Sequence, residues 1–201
     1  MIRLLLADDQ HLVRGALEAL LSMEDDFEIV ASVPDGAAAV KAAAELRPDV
    51  ALIDVEMPVM DGIAATREIC AQTPGVRVMI LTTFGRPGYL RRAMDAGARG
   101  FMVKDASPDR LAQAVRSVYG GRTVVDPELA VASLSSGANP LTDRESEVLR
   151  SAEDGRTVND IARVLHLSEG TVRNYLSAAI GKTGARTRAE AARVARDNGW
   201  L

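Results

Sequence analysis

The first 120 residues alternate between two hydrophobic patterns. Short apolar runs, mostly continuous stretches of Val, Ile and Leu, occur at 3–7, 29–33, 50–54, 76–81 and 100–103. Such runs are typical of parallel strands that are buried on both faces. The segments between them, at about 11–23, 36–46, 62–71, 87–97 and 108–119, carry apolar residues at helical spacing. Five strand–helix units with short loops predict an α/β fold with a doubly wound, five-stranded parallel sheet.

The pattern changes after residue 120. Residues 121–139 end in small and polar residues before Pro140, which predicts a linker. Beyond it no strand pattern is visible, and four short helical segments each follow a capping signal: Thr142 with Glu145, Thr157 with Asp160, Ser168, and Thr187 with Glu190. The sequence therefore predicts a first domain over 1–120, a linker over 121–139, and a small all-α domain of four helices over 140–201.

Composition and charge exclude several classes of protein. The single cysteine, Cys70, excludes a disulfide framework and a cysteine-based zinc site. No apolar run approaches the roughly 20 residues of a membrane span, so we expect a cytoplasmic protein without a membrane partner. The overall net charge of −4 argues against a generally basic nucleic-acid-binding surface. Because residues 139–201 hold 10 basic and 9 acidic side chains, any contact with DNA must come from a local surface there.

Polar side chains follow the predicted strands of the first domain. Asp8 and Asp9 end the first strand, Asp54 the third, Thr82 the fourth, and Lys104 the fifth. With the strand order 2-1-3-4-5, the carboxylates converge at the carboxyl edge of the sheet, where ligands bind in such folds. Clustered carboxylates favour a hard cation such as Mg²⁺, and a lysine and a threonine beside them suit acceptance of a phosphoryl group. The alternative interpretation is that these residues are ordinary polar strand ends.

These residues resemble the receiver domain of bacterial two-component response regulators. The resemblance rests on Asp8-Asp9, the segment 52–62 (LIDVEMPVMDG), Thr82 and Lys104, and it covers the whole first domain. It implies that Asp54 is phosphorylated by a sensor histidine kinase, and that Thr82 and Lys104 hold the phosphoryl group. It also implies that Asp8, Asp9, Asp54 and the backbone carbonyl of Glu56 bind Mg²⁺. The switch aromatic of the family corresponds to Phe101, which we expect to be partly buried, with a rotamer that follows Thr82.

The second domain contains a predicted helix-turn-helix. A short helix over 157–165 is followed by a tight turn and by a longer helix over 169–183, whose inward face is Val172, Leu176, Ala179 and Ile180. The outward residues are Thr171, Arg173, Asn174, Ser177 and Lys182. Arginine can pair with guanine and asparagine with adenine, which makes Arg173 and Asn174 candidates for reading bases, whereas Thr171 and Lys182 suit phosphates. The alternative is that this surface is an ordinary solvated helix face.

The segments 141–149, 161–162 and 170–175 resemble the four-helix DNA-binding domain of the NarL/FixJ (LuxR-type) regulators. The segment 81–89 and the start of the second domain at 139–140 resemble the DesR subgroup, regulators of membrane-lipid desaturation. The resemblance implies a transcription regulator that binds promoter double-stranded DNA, with RNA polymerase as a further partner. It implies no enzymatic activity beyond the receiver's own phosphoryl transfer and dephosphorylation.

Two rival functions remain. Haloacid-dehalogenase-type phosphohydrolases also use a strand-end aspartate, an acid two residues later, Mg²⁺, a threonine and a lysine. In those enzymes the nucleophile lies on the first strand and the acidic pair follows it, whereas here Asp8-Asp9 precedes Asp54. Phosphate turnover would distinguish the two. A DNA-binding protein independent of phosphorylation is disfavoured because the acidic site is complete.

The first and fifth predicted helices carry more apolar residues than the sheet requires. Val13, Leu17 and Leu20 on the first, and Leu111, Val115 and Val118 on the fifth, are expected to face the sheet. A second group then remains exposed: Leu12, Ala16, Ala19, Met23, Ala112 and Tyr119. It predicts the interface of a symmetric homodimer that forms on phosphorylation. In the alternative, Leu12 and Met23 cover loops or the linker, and the dimer uses the face of the fourth helix, fifth strand and fifth helix.

Overall fold

The computed structural model describes residues 1–83, 87–135, 139–153 and 155–201, with the side chains of residues 87, 132–135 and 153 excepted. The strands are β1 (Ile2–Ala7), β2 (Phe27–Val33), β3 (Val50–Asp54), β4 (Arg77–Thr82), β5 (Gly100–Val103) and β6 (Val124–Val125). The helices are α1 (His11–Leu21), α2 (Gly36–Leu46), α3 (Gly62–Gln72), α4 (Pro87–Asp95), α5 (Pro108–Tyr119), α6 (Pro127–Ser135), α7 (Asp143–Glu153), α8 (Val158–Leu165), α9 (Glu169–Thr183) and α10 (Arg188–Asp197). Among the described helices, none combines the length and apolar composition needed to cross a membrane.

The chain divides into two compact units, called here the first unit (residues 1–85 and 89–131) and the second unit (residues 86–88 and 132–201). The first unit contains one parallel sheet with the order β2-β1-β3-β4-β5-β6. The predicted α/β class and the order 2-1-3-4-5 are confirmed, and β6 adds a sixth strand beside β5. Since β1 and β3 are neighbours, their carboxyl ends lie side by side at one edge of the sheet.

The segment 121–139, predicted as a linker, is not all irregular. It contains β6, whose Val124 N–H donates to Arg99 O at 2.9 Å, and it continues into α6. The first unit therefore extends beyond residue 120, because two Val residues suffice to add a short strand to an open sheet edge. Residues 136–138 of this segment, and residues 84–86 of the 81–89 segment, lie outside the described residues.

Helices cover both faces of the sheet, and the packing corrects three expectations from the sequence. Leu20, expected to face the sheet, is 40% exposed, and Leu21 is buried instead. Ala112, expected at the surface, is 1% exposed and belongs to the core beneath α5. Phe101, expected to be partly buried, is fully buried in the core on the other face. The expected core residues of α5, Leu111, Val115 and Val118, are buried.

The second unit is the predicted four-helix bundle, formed by α7 to α10 around one apolar core. The capping signals act as local chemistry predicts: Thr157 and Asp160 form a reciprocal capping box at the start of α8. Ser168 accepts from the Thr171 N–H at the start of α9. A three-residue turn between α8 and α9 produces the helix-turn-helix arrangement.

Candidate functional site

Three carboxylates meet at the carboxyl edge of the sheet. Asp8 and Asp9 follow β1, and Asp54 ends β3; their ligand oxygens all lie within 4.8 Å of one another. Asp8 is 2% exposed and Asp54 is 4% exposed, whereas Asp9 is open to solvent. Ionised carboxylates at this separation repel one another in the absence of a cation, and hard oxygen donors suit Mg²⁺. The donor set therefore fits the metal that the sequence predicts.

Lys104 enters the same cluster from the end of β5. Its Nζ lies 2.7 Å from Asp8 Oδ2 and 2.9 Å from Asp54 Oδ2, and the lysine side chain is 9% exposed. Burial acts to lower the pKa of Lys104, but the contacts with the two carboxylates outweigh burial and raise it. The ammonium group therefore stays charged at neutral pH and can compensate negative charge beside Asp54.

Asp54 is buried and has a polar contact at each of its two carboxylate oxygens. Burial raises the pKa of its carboxyl group above the ordinary value, and the contact with Lys104 opposes this shift only in part. Oδ1 accepts a hydrogen bond from the Val55 N–H at 2.8 Å, which fixes the carboxylate plane. Gly62 allows this geometry, because a Cβ at this position would lie 1.8 Å from the backbone oxygen of Asp54.

The other predicted site residues surround this cluster in different ways. Thr82 is 3% exposed at the end of β4, and its carbonyl accepts from the Lys104 N–H at 2.9 Å. The Glu56 side chain is exposed and accepts a hydrogen bond from the buried Tyr89 hydroxyl at 3.2 Å. Phe101 lies on β5 and pairs with Ile80 of β4, two residues before Thr82.

Two residues near the site were missed by the sequence reasoning. Arg14 Nη1 donates to Asp8 O at 2.5 Å and holds the turn between β1 and α1, and Tyr89 links α4 to the loop after β3. Their partners come from other elements of the chain. A periodicity or spacing argument had no signal for either contact.

The predicted DNA-reading surface lies on α9. Its inward residues Val172, Leu176 and Ala179 are buried, and Ile180 is half-buried. Of the outward residues, Arg173, Asn174 and Ser177 are exposed on one side of the helix, and Thr171 is half-buried beside Ser168.

Lys182 has a different environment from the one its predicted phosphate contact requires. Its Nζ lies 2.7 Å from Oε2 of Glu145, a buried residue on α7. Nine positions separate it from Arg173, which at 3.6 residues per turn is two and a half turns and places the two side chains on opposite sides of the helix. Lys182 therefore lies exposed on the side of α9 opposite to Arg173 with its ammonium group paired to α7, and we correct its assignment from phosphate binding to a contact within the second unit.

The predicted dimerisation residues are only partly at the surface. Leu12 is 85% exposed and Met23 80% exposed, and Ala16 and Ala19 are exposed between them on α1. Tyr119 on α5 is 42% exposed, and the guanidinium carbon of Arg77 lies over its ring, 5.6 Å from the ring centroid. Ala112 is buried, so it is removed from this surface.

Comparison with known proteins gives the same two-part division. Residues 4–116 match the response regulator receiver domain, and residues 139–195 match the bacterial regulatory proteins of the luxR family. Over 201 residues, covering all of both chains, the protein is 45% identical to the uncharacterized transcriptional regulatory protein YvfU of Bacillus subtilis (strain 168). It is 43% identical to the transcriptional regulatory protein DesR of the same strain, again over the whole of both chains. The structure of the two-component response regulator RcsB in complex with DNA has a TM-score of 0.68 at 25% identity, covering 98% of each chain.

The matched regions coincide with the acidic cluster on one side and with the helix-turn-helix on the other. Neither the acidic cluster nor the helical bundle alone would identify the class of protein. A receiver match followed by a luxR-family match in one chain does. The chain belongs to the two-component response regulators of the LuxR family, and it is a transcription regulator with a receiver domain and a helix-turn-helix DNA-binding domain, not a classical enzyme.

Proposed function

We propose that Asp54 is the phosphoacceptor of this regulator, with the phosphohistidine of a sensor histidine kinase as donor. An Asp54 carboxylate oxygen attacks phosphorus, the phosphorus–nitrogen bond of the donor breaks, and the histidine nitrogen keeps the electron pair. Asp54 becomes an acyl phosphate. The observation that carries this proposal is the position of Lys104 Nζ, 2.9 Å from Asp54 Oδ2.

Each neighbour of Asp54 has a separate part in the proposal. The Lys104 ammonium compensates the charge that develops on the transferred phosphoryl oxygens, and the Thr82 hydroxyl donates a hydrogen bond to one of them. Asp8, Asp9, Asp54 and the backbone carbonyl of Glu56 would hold Mg²⁺, which when bound supplies further charge compensation. Thr82 and Phe101 together would transmit the change to the rest of the first unit.

The test is phosphoryl uptake from acetyl phosphate with Mg²⁺, measured by intact-protein mass spectrometry. We expect one phosphoryl group per chain for the wild type, none for Asp54→Ala, and unchanged uptake for Asp25→Ala, which removes an exposed aspartate in the turn before β2. Labelling of Asp54→Ala at the wild-type level would refute the assignment. Continuous release of many phosphates per chain would instead favour a phosphohydrolase.

For the second unit, the proposal is that Arg173 and Asn174 read bases in the major groove, with Thr171 and Ser177 beside them. Both proposed readers are exposed on α9, the second helix of the helix-turn-helix. Arg173→Ala should cost about 1–3 kcal/mol on a duplex selected by the purified chain and less on a scrambled duplex. An equal loss on both duplexes would make Arg173 a phosphate contact. The proposal includes promoter DNA as the target, RNA polymerase as a later partner, and the bacterial cytoplasm as the place of action.

We propose that phosphorylation of the first unit affects DNA binding by the second unit through the formation of a dimer. The exposed residues Leu12, Ala16 and Ala19 form an apolar stripe on α1, the exposed Met23 lies just after the end of this helix, and Tyr119 on α5 is exposed as well. A symmetric dimer through this surface would bring two recognition helices to adjacent half-sites.

Sedimentation of Leu12→Asp with and without phosphoryl donor tests this interface. We expect Leu12→Asp to remain monomeric after phosphorylation, and Val164→Asp, an equally drastic change at an exposed apolar residue of α8, to dimerise like the wild type. Normal dimerisation of Leu12→Asp would move the interface to the face of α4, β5 and α5.

A further inference from the structure

A network of four polar side chains connects α8 and α9, the two helices of the helix-turn-helix. Arg173 Nη2 contacts Glu169 Oε2 at 2.5 Å, one turn earlier on α9. The other Glu169 oxygen, Oε1, accepts from Asn159 Nδ2 on α8 at 3.0 Å, and Asn159 Oδ1 accepts from Arg163 Nη2 at 3.0 Å. Glu169 therefore uses both carboxylate oxygens, one toward each helix.

The donors and acceptors of this network permit only one orientation of the Asn159 amide. With the Asn159 amide rotated by half a turn, its NH₂ group would face the Arg163 guanidinium and its oxygen would face the Glu169 carboxylate, and both contacts would be repulsive. The hydrogen bond from Asn159 and the contact with Arg173 also lower the pKa of Glu169, so this carboxylate is ionised at neutral pH. The four groups thus hold one another in a fixed order.

Glu169 has an electrostatic cost at this position. A carboxylate at the start of a helix that enters the major groove is repelled by DNA phosphates, so its removal alone should strengthen binding to any duplex. A free arginine, in contrast, loses side-chain freedom when it is fixed against a base, which costs affinity. A carboxylate that fixes the arginine beforehand reduces that loss.

We propose that Glu169 is a positioning residue for sequence discrimination: it holds Arg173 in an ordered conformation for base contact, and Asn159 holds Glu169. This inference rests on the proposed reading role of Arg173. Glu169 itself touches no base in this scheme. It acts through Arg173, so its effect appears in the difference between selected and unselected DNA.

The experiment uses the full chain and two duplexes, one selected by the purified protein from a random pool and one scrambled, with affinities measured by fluorescence anisotropy at one salt concentration. Glu169→Ala should weaken binding to the selected duplex about three- to tenfold, because ordering one flexible side chain costs a corresponding loss of affinity. It should strengthen binding to the scrambled duplex. Asn159→Ala should give a smaller loss on the selected duplex. In the Arg173→Ala background, Glu169→Ala should cause no further loss of discrimination.

Glu147→Ala is the matched control. Glu147 pairs with Arg144 on α7 at 2.6 Å, and its side chain is 41% exposed, as is that of Glu169. This control removes the same charge away from α9 and should strengthen binding to both duplexes equally. Glu169→Gln, which keeps the size of the side chain, provides a second test if Glu169→Ala reduces the thermal stability of the second unit.

Two results would overturn the positioning role of Glu169 alone. If Glu169→Ala and Glu169→Gln strengthen binding to both duplexes equally, as Glu147→Ala does, Glu169 contributes only charge. If they strengthen binding to the selected duplex more than to the scrambled one, Glu169 holds Arg173 away from the bases. An Arg173→Ala variant that loses affinity equally on both duplexes would instead refute the reading role, and the positioning role with it.

Discussion

Replacing Lys182 by methionine should destabilise the second unit, because it leaves a buried carboxylate without its cation. Glu145 is 6% exposed, and its Oε2 accepts from the Thr142 N–H at 2.7 Å and from Lys182 Nζ at 2.7 Å. Lys182→Met keeps most of the aliphatic stem of the side chain and removes only the charged end. The perturbation is therefore electrostatic.

The expected loss of stability depends on how far solvent reaches the ion pair of Glu145 and Lys182. Removal of one partner of a fully buried ion pair costs about 3–5 kcal/mol. The Lys182 side chain is 38% exposed, and the Thr142 N–H remains as a donor to Glu145, so the cost is smaller. We expect the free energy of unfolding of the second unit to fall by about 1–2 kcal/mol, which lowers Tm by about 4–8 °C for each kcal/mol in a domain of this size.

The assay is urea and thermal unfolding of the full chain, followed by the emission of Trp200. This residue is the single tryptophan of the sequence and packs against the core of the second unit, so its signal reports that unit. Arg193→Met on α10 is the control, since it removes a cation whose side chain is 69% exposed and whose pair with Asp197 is 3.6 Å long. It should change the free energy of unfolding by less than about 0.5 kcal/mol.

The pH dependence provides an independent check of the same contact. Burial acts to raise the pKa of Glu145, but the contacts with Lys182 and Thr142 outweigh it and lower the pKa below the ordinary value. The stabilisation is then present above the unfolded pKa of about 4.3 and is lost as the pH falls through the lower, folded value. Wild type should lose stability over this range, and Lys182→Met should lose less. Equal unfolding midpoints for the two proteins at pH 7 would refute the reasoning and return Lys182 to the candidates for phosphate binding.

Three further predictions concern the first unit. Gly62→Ala should lower the free energy of unfolding by about 1–3 kcal/mol or more and slow phosphoryl uptake, because the added Cβ would lie 1.8 Å from the backbone oxygen of Asp54. Unfolding followed by circular dichroism measures the first effect, and mass spectrometry of the phosphorylated chain measures the second. Lys104→Met should remove most phosphoryl uptake from acetyl phosphate, with the first unit still folded, since Lys104 is the cation nearest to Asp54 among the described residues. Asp126→Ala should destabilise the first unit by about 1–2 kcal/mol in thermal unfolding, because this buried carboxylate pairs with Arg110 at 3.2 Å and caps α6, and an unchanged Tm would show that the pair contributes nothing.

The sequence by itself determined the features that depend on neighbours along the chain. Continuous apolar runs marked the first five strands, helical spacing marked the inward face of α9, and the capping signals at Thr157 and Ser168 marked helix starts. The acidic site could also be predicted, because parallel strands place their carboxyl ends at one edge, so residues such as Asp8 and Asp54 had to meet there. Each of these features follows from backbone geometry within one element or from the direction of a strand.

Only the tertiary structure decided which side chains find partners on distant elements. Lys182 was assigned to the outer surface of α9, but the packing of α7 places the buried Glu145 beside it. Ala112 was assigned to the surface, and the packing of α5 against the sheet buried it, whereas Leu20 on α1 was left exposed. β6 formed because the edge of β5 was open to pairing. Periodicity fixes which side of a helix is apolar to within about one residue, but the rotation of that helix against its neighbours depends on the packing of all the side chains between them.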